Sequence, residues 1–242
     1  MDDYPPVHRD PAPALYGRLR VRTGDLGPAL RLTDGGAGTG AFGTVAGVAA
    51  AGFAAYARVL HPASLGERPV RWAAVGAALG RRVEPGTYWH ELVGMGRDYH
   101  NASAYGLPGV WDEHPAEGPT PPGVARALVP VLARHTGTPD RCWYGLWNGY
   151  GRWDFDTVPT FRTPGRDEVL LSGTLAEAVS PLELDEFAEL PDLWWPEDRA
   201  WCVGGDVDLV STYVGGTEAL VADLLAAPEL EAHRAAPGDP VG

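Results

Sequence analysis

The run Trp143-Tyr144-Gly145-Leu146-Trp147-Asn148-Gly149-Tyr150 carries large aromatic side chains at both parities of an extended strand, which restricts what can surround it. Successive strand residues point to opposite faces, so Trp143 and Trp147 share one face while Tyr144 and Tyr150 share the other. Rings of this size are costly to leave in water. Either one face lines a pocket or an interface, or both are buried between layers. The same weight recurs in Trp194-Trp195-Pro196, within a chain that holds nine Trp and nine Tyr. Trp143, Trp147, Trp194 and Trp195 are therefore the candidate aromatic lining of a binding surface.

Around these runs the apolar pattern predicts short strands and helices. Strands are expected over 15–21, 29–32, 53–61, 141–150, 167–173 and 199–214, from alternation or from Val, Leu and aromatic runs bounded by Gly, Pro and Asp. A helix over 69–80 would place Pro69 in its first turn, Trp72, Val75 and Leu79 on one face, and Gly80 at its stop. A short helix follows over 88–93. The best helical period lies over 120–137, with Thr120 as cap, Val124, Leu128 and Leu132 at four-residue steps, and Pro130 as a kink. A last helix starts at Thr217, buries Leu220, Val221, Leu224 and Leu225, and ends before Pro228. Residues 97–119 read as a long loop carrying Tyr99, Tyr105 and Trp111. Residues 1–13 and 235–242 lack any apolar period and read as loose tails. The expected architecture is a single α+β domain over 14–234, a mixed or antiparallel sheet packed against several helices.

Charge narrows the partners. A net charge of −13 and a pI near 4.9 argue against nucleic-acid binding through a basic surface, because phosphate neutralisation needs clustered cations. A basic protein, or a small aromatic or apolar ligand, is easier to accommodate. All nineteen Lys-plus-Arg positions are Arg, a bias of GC-rich coding, so Arg usage carries no inference of bidentate recognition. No segment approaches the roughly 18 apolar residues of a membrane span. The acidic, proline-rich start is unlike a signal peptide, and Cys142 and Cys202 each sit in an apolar run, so buried free thiols in the cytoplasm are expected.

Motifs that carry chemistry are incomplete. Gly38-Thr39-Gly40-Ala41-Phe42-Gly43 matches G-x-G-x-x-G, but the acid expected about 20 residues on is replaced by His61-Pro62 and a polar turn. A surface loop is the better reading, and no cofactor is expected. The seven His show no H-E-x-x-H or H-x-H spacing, and neither Cys stands at metal spacing, so no metal ligands are assigned. No G-x-S-x-G elbow is present. Asp206-Val207-Asp208 resembles the D-x-D nucleophile motif of haloacid-dehalogenase-like phosphatases. In that family the motif opens the fold, whereas 34 residues remain here after Asp208.

On an extended strand over 199–214 the carboxylates of Asp206 and Asp208 would share a face and repel, a situation that a metal, an Arg or a raised pKa relieves. Asp206, Asp208 and Arg199 form the candidate polar set; the other reading is a solvated polar face. The block Trp194-Trp195-Pro196-Glu197-Asp198-Arg199-Ala200-Trp201, with Asp206, Asp208 and Tyr213-Val214-Gly215-Gly216, resembles one in an uncharacterised protein family of GC-rich actinobacteria. Leu60-His61-Pro62 and Leu146-Trp147-Asn148-Gly149-Tyr150-Gly151 extend the resemblance, which implies origin and integrity of the fold and transfers no catalytic residue. Two functions are expected from the residues. The first is a binding or regulatory protein, immunity-like or accessory, with an acidic, aromatic-rich surface. The second is a small-molecule enzyme or ligand-binding protein with a Trp-lined pocket and Asp206, Asp208 and Arg199 as its polar groups.

Overall fold

The chain begins with short extended pieces, β1 (Asp10–Pro11), β2 (Leu15–Tyr16) and β3 (Leu19–Val21), in a computed structural model that describes residues 10–33, 40–95, 106–151, 153–184 and 188–241. The single strand expected over 15–21 is a hairpin, because Gly17 takes a left-handed turn (φ +63°) where a Cβ would strike the backbone of Ser180. The strand expected over 29–32 is instead helical, α1 (Gly27–Thr33). The Asp25 carboxylate accepts from the Gly27 N–H and Pro28 occupies the first turn, both helix-starting features that outweigh a four-residue apolar run.

Next come α2 (Val45–Val48), capped by the Thr44 hydroxyl, and β4 (Ala55–Leu60), within the strand expected over 53–61 and buried along its whole length. Strands β5 (Ala63–Leu65) and β6 (Arg68–Val70) form a separate ribbon that takes Pro69 out of the expected helix. The helix α3 (Trp72–Ala78) therefore starts later, with the Trp72 and Ala73 N–H groups donating to the Glu231 carboxylate. It is followed by α4 (Trp89–Val93) and α5 (Pro122–Ala133). Thr120 does not cap α5: it is buried against Thr212, and Pro121 and Pro122 open the helix. Val124, Leu128 and Leu132 are buried along it as expected.

The second half supplies β7 (Cys142–Trp147), β8 (Trp153–Asp154), β9 (Thr160–Thr163), β10 (Arg166–Gly173), β11 (Leu193–Pro196), β12 (Cys202–Gly204) and β13 (Ser211–Gly216). It closes with α6 (Glu218–Ala226), capped by Thr217, and β14 (Ala232–Ala235). Leu225, expected on the buried stripe of α6, is exposed; Leu220, Val221 and Leu224 form that stripe. The strand expected over 199–214 is two strands joined by a turn. Gly204 packs so closely on α2 that a Cβ would lie 2.1 Å from the Val48 carbonyl oxygen. Asp206 then folds the chain back by accepting from the Asp208 and Leu209 N–H groups.

Among the described residues, ten strands form one sheet in the order β14-β4-β13-β12-β11-β7-β10-β3-β2, with β9 also on β10, and its pairings are antiparallel. With 26% helix and 30% strand the chain is α+β. One face, with Tyr144, Leu146, Val169, Leu171, Trp194, Val203 and Val214, packs on α5, α6 and the 3-10 segment Leu175–Glu183. The other carries Phe161, Leu170, Leu193, Trp195 and Cys202 beneath α1, and Tyr56 and Tyr213 beneath α2. Residues 235–241, expected as a loose tail, are instead held on α2: the Val45 and Ala46 N–H groups donate to the Asp239 and Pro237 carbonyls. Since β7 and β10 contribute to clusters on both faces, Trp fluorescence and far-UV dichroism are expected to lose native signal in one coincident urea transition. Two separated transitions would divide the chain into units. No helix among the described residues is long and apolar enough to cross a membrane.

Candidate functional site

Burial of charge singles out one place on the sheet. Glu168 stands on β10 between Phe161 of β9 and Trp147 of β7, on the same face as Leu170, and is 2% exposed. Its Oε1 has a long contact of 3.4 Å from the Thr163 hydroxyl, and its Oε2 has no hydrogen-bond partner among the described residues. That oxygen lies over β7 where Gly145 has no side chain; a Cβ there would meet it at 3.4 Å. A buried carboxyl with an orphan oxygen is rare in folded proteins and marks a place for a ligand, an ion or a water.

Asp192 lies just before β11 and is 4% exposed. The chain turns after β7 into a 3-10 turn, Asn148–Tyr150, which brings Tyr150 back over it. The Tyr150 hydroxyl donates to Asp192 Oδ1 at 2.6 Å and the Trp147 N–H donates to Oδ2 at 2.7 Å, so this carboxyl is fixed in position. Burial pushes Asp192 up to about 7, against those two hydrogen bonds, and Asp206 and Glu189 add to the rise. Burial, then the neighbouring Asp192, drives Glu168 well above the usual carboxylate range; Arg166 and Thr163 oppose this and do not offset it. Near neutral pH the pair therefore holds a proton that two isolated carboxylates would have lost.

The rim is built from β10 and the turn between β12 and β13. Arg166 forms a bidentate pair with Asp206, Nη2 to Oδ1 at 2.7 Å and Nε to Oδ2 at 3.0 Å, and Nη2 reaches Asp208 Oδ2 at 3.2 Å. Its guanidinium carbon lies 4.6 Å from the centre of the Trp147 ring. Asp206 and Asp208 are thus brought together as expected, through a turn and not along a strand. The cation that bridges them is Arg166. Arg199 stands elsewhere, in the turn between β11 and β12 with φ +54°, donating to the Arg31 carbonyl at 2.9 Å.

Trp143 and Trp147 do share a face and are half-buried, Trp143 donating its indole N–H to Glu197. Trp194 and Trp195 line no surface. They point to opposite faces of β11 and are fully buried, Trp194 donating to the Pro191 carbonyl and Trp195 packing edge-on against Phe161. Alternation alone puts adjacent tryptophans on opposite faces, and with both faces covered both are core. Of the aromatic loop, Trp111 packs against Trp89, while Tyr99 and Tyr105 lie outside the described residues, as do residues 34–39 of the glycine-rich loop.

Glu168 and Asp192 were not singled out from the pattern, although a signal for the first exists. A Glu followed by Val169-Leu170-Leu171 sits in a strand apolar on both faces, which places its carboxyl in an interior. For Asp192 the pattern offers nothing, because its burial depends on the return of Tyr150. Among the described residues Nε1 of Trp111 and Nε2 of His233 are likewise buried without a hydrogen-bond partner, whereas the buried His61 and Arg58 side chains have partners. His61 rests between the Ala116 carbonyl at 2.8 Å and the Thr212 hydroxyl at 2.9 Å, and burial lowers it to about 4. The buried Arg58 guanidinium donates to Ser211 and to the Pro85 and Thr87 carbonyls. Cys142 and Cys202 are buried free thiols. No group of three or more His, Cys, Asp or Glu among the described residues is placed to hold a metal ion. Comparison with protein-family models, curated proteins and solved structures returned no match for this chain.

Proposed function

We propose that the chain binds a small cationic or donor-rich organic ligand, an amine or a guanidine, at the Glu168 and Asp192 carboxyls, and that the site is equipped for acid–base chemistry on it. The observation that carries this reading is the orphan Oε2 of Glu168, whose carboxyl lies near those of Asp192 and Asp206, with Arg166 as the cation acting on it. An anion would be repelled there. A ligand N–H would supply the missing partner, and an ammonium would take over the role of the shared proton. Burial drives both carboxyls to hold a proton above the usual carboxylate range, and Asp192 is fixed by Tyr150 and Trp147, an arrangement suited to proton exchange with a bound amine. Trp147 and Tyr150 supply an aromatic wall.

The alternative, a regulatory or immunity-like protein docking a basic partner, draws support from the net charge of −13 and from Asp208, whose side chain is 82% exposed. Trp194 and Trp195, expected as aromatic lining for either reading, lie in the core; the orphan oxygen of Glu168 is what favours the small ligand.

The test is thermal melting with methylammonium, guanidinium or benzylammonium chloride at millimolar concentration, each against equal sodium chloride. At least one organic cation is expected to stabilise the wild type, more strongly at pH 8 than at pH 6 because it competes with the proton on Glu168. Glu168→Gln is expected to lose that stabilisation. Equal stabilisation of wild type and variant would place binding elsewhere and end this reading.

A further inference from the structure

Trp143 and Trp147 share one face of β7, each half-buried with a guanidinium over its ring, Arg22 and Arg166 respectively, and Trp143 also donates its indole N–H to Glu197. Trp143 stands at the end of the strand where further arginines gather. Arg20 of β3 is opposite Ser172 of β10, and Ser172 is opposite Trp143 of β7, so the three lie in one row across adjacent strands. At about 4.8 Å per strand the row places Arg20 and Trp143 about 10 Å apart at the backbone. Arg141, two residues before Trp143, lines the same hollow as Arg20, Trp143, Ser172 and Thr174, with a volume of about 410 Å³. From the strand end beyond β3, the Arg22 guanidinium carbon lies 5.9 Å from the Trp143 ring centre.

Some arginines of this acidic chain pair with carboxylates, Arg31 with Glu197, Arg134 with Asp223, Arg162 with Asp167 and Arg234 with Glu218, while others among the described residues, such as Arg22 and Arg126, do not. Arg20 and Arg141 have no carboxylate partner among the described residues, although the chain carries 32 acidic residues against 19 basic ones. The acids at the hollow do not fill that role. Glu177 accepts from the Thr174 N–H in a capping box, Glu183 pairs with Arg18 at the edge, and Asp140 stands exposed on the rim. Two like charges facing one concavity repel, and an anion seated between them removes the repulsion.

We propose that this hollow is a second binding site, for a small oxyanion carried on a planar group, with Arg20 and Arg141 holding the oxyanion and Trp143 contacting the plane. Ser172 adds a hydroxyl donor on the floor. A carboxylate and a phosphate share the chemistry that two guanidinium forks recognise. The site stands independently of the carboxyl pair, being lined by none of its residues.

The experiment is titration with phenyl phosphate, benzoate and inorganic phosphate, followed by Trp emission excited at 295 nm and by thermal melting, each at constant ionic strength held with sodium chloride. Saturable binding of phenyl phosphate or benzoate is expected, tighter than that of inorganic phosphate; which aromatic anion binds more tightly identifies the natural head group. Arg20→Gln and Arg141→Gln are each expected to weaken binding at least about tenfold, and Arg141→Lys to restore part of the loss. Both arginines are exposed, and the melting temperature of the free variants checks that they fold. The proposal is overturned if the wild type shows no saturation by 10 mM, if the Gln variants bind as the wild type does, or if inorganic phosphate binds as tightly as its phenyl ester.

Discussion

Glu168→Gln is expected to raise the unfolding free energy at pH 8 by on the order of 2 kcal/mol and to leave it nearly unchanged at pH 5. In the folded wild type the Asp192 carboxyl sits at about 7 and Glu168 well above its ordinary range, so the native state binds more protons than the unfolded chain. Stability from such groups is fully present below their unfolded values near 4 and is lost as pH rises through about 7 and beyond. The amide removes one of two repelling groups. His61 works in the opposite sense: burial lowers it to about 4, so it contributes stability above its ordinary value that is lost as pH falls. The measurement is therefore the difference between variant and wild type in urea unfolding across pH 5 to 8, in which the His61 contribution cancels. A variant less stable than the wild type at pH 8 would mean that the Glu168 carboxyl is held by hydrogen bonds and is structural.

The largest loss is expected from Trp194→Ala, about 3–5 kcal/mol. The ring is fully buried in the cluster under α5 and α6, near Tyr144 with ring centres 6.4 Å apart, and its indole N–H donates to Pro191 at 2.7 Å. Truncation leaves a cavity and an unsatisfied carbonyl. Trp147→Ala, on a half-buried ring with Arg166 across it, is expected to cost much less and to act on ligand binding instead. Paired urea melts decide this. A loss below about 1 kcal/mol at Trp194 would mean that the side chain is a surface group after all.

Several features were legible in the chain because they depend on near neighbours. The α+β class, the strand β4, the four-residue step of Val124, Leu128 and Leu132, and the cap at Thr217 follow from side-chain period and local capping. So does the shared face of Trp143 and Trp147, which needs only the pleat of one strand. The proximity of Asp206 and Asp208 was also legible, but its cause was not. An Asx turn and an extended strand both bring residues two apart together, and close packing of Gly204 on α2 selected the turn.

What only the tertiary structure decided is which groups meet across the sheet. Arg166 reaches Asp206 from a strand 40 positions away in sequence, and Arg199, only seven from Asp206, points toward Arg31. Sequence distance carries no information about such pairing, because strand order in the sheet, with β10, β7, β11 and β12 side by side, sets who is adjacent. The same holds for burial of the carboxyls. The apolar run after Glu168 hints at its burial, but nothing local does so for Asp192, and only the covering of both sheet faces brings the two carboxyls together as interior groups whose protons and partners become the chemistry of the site.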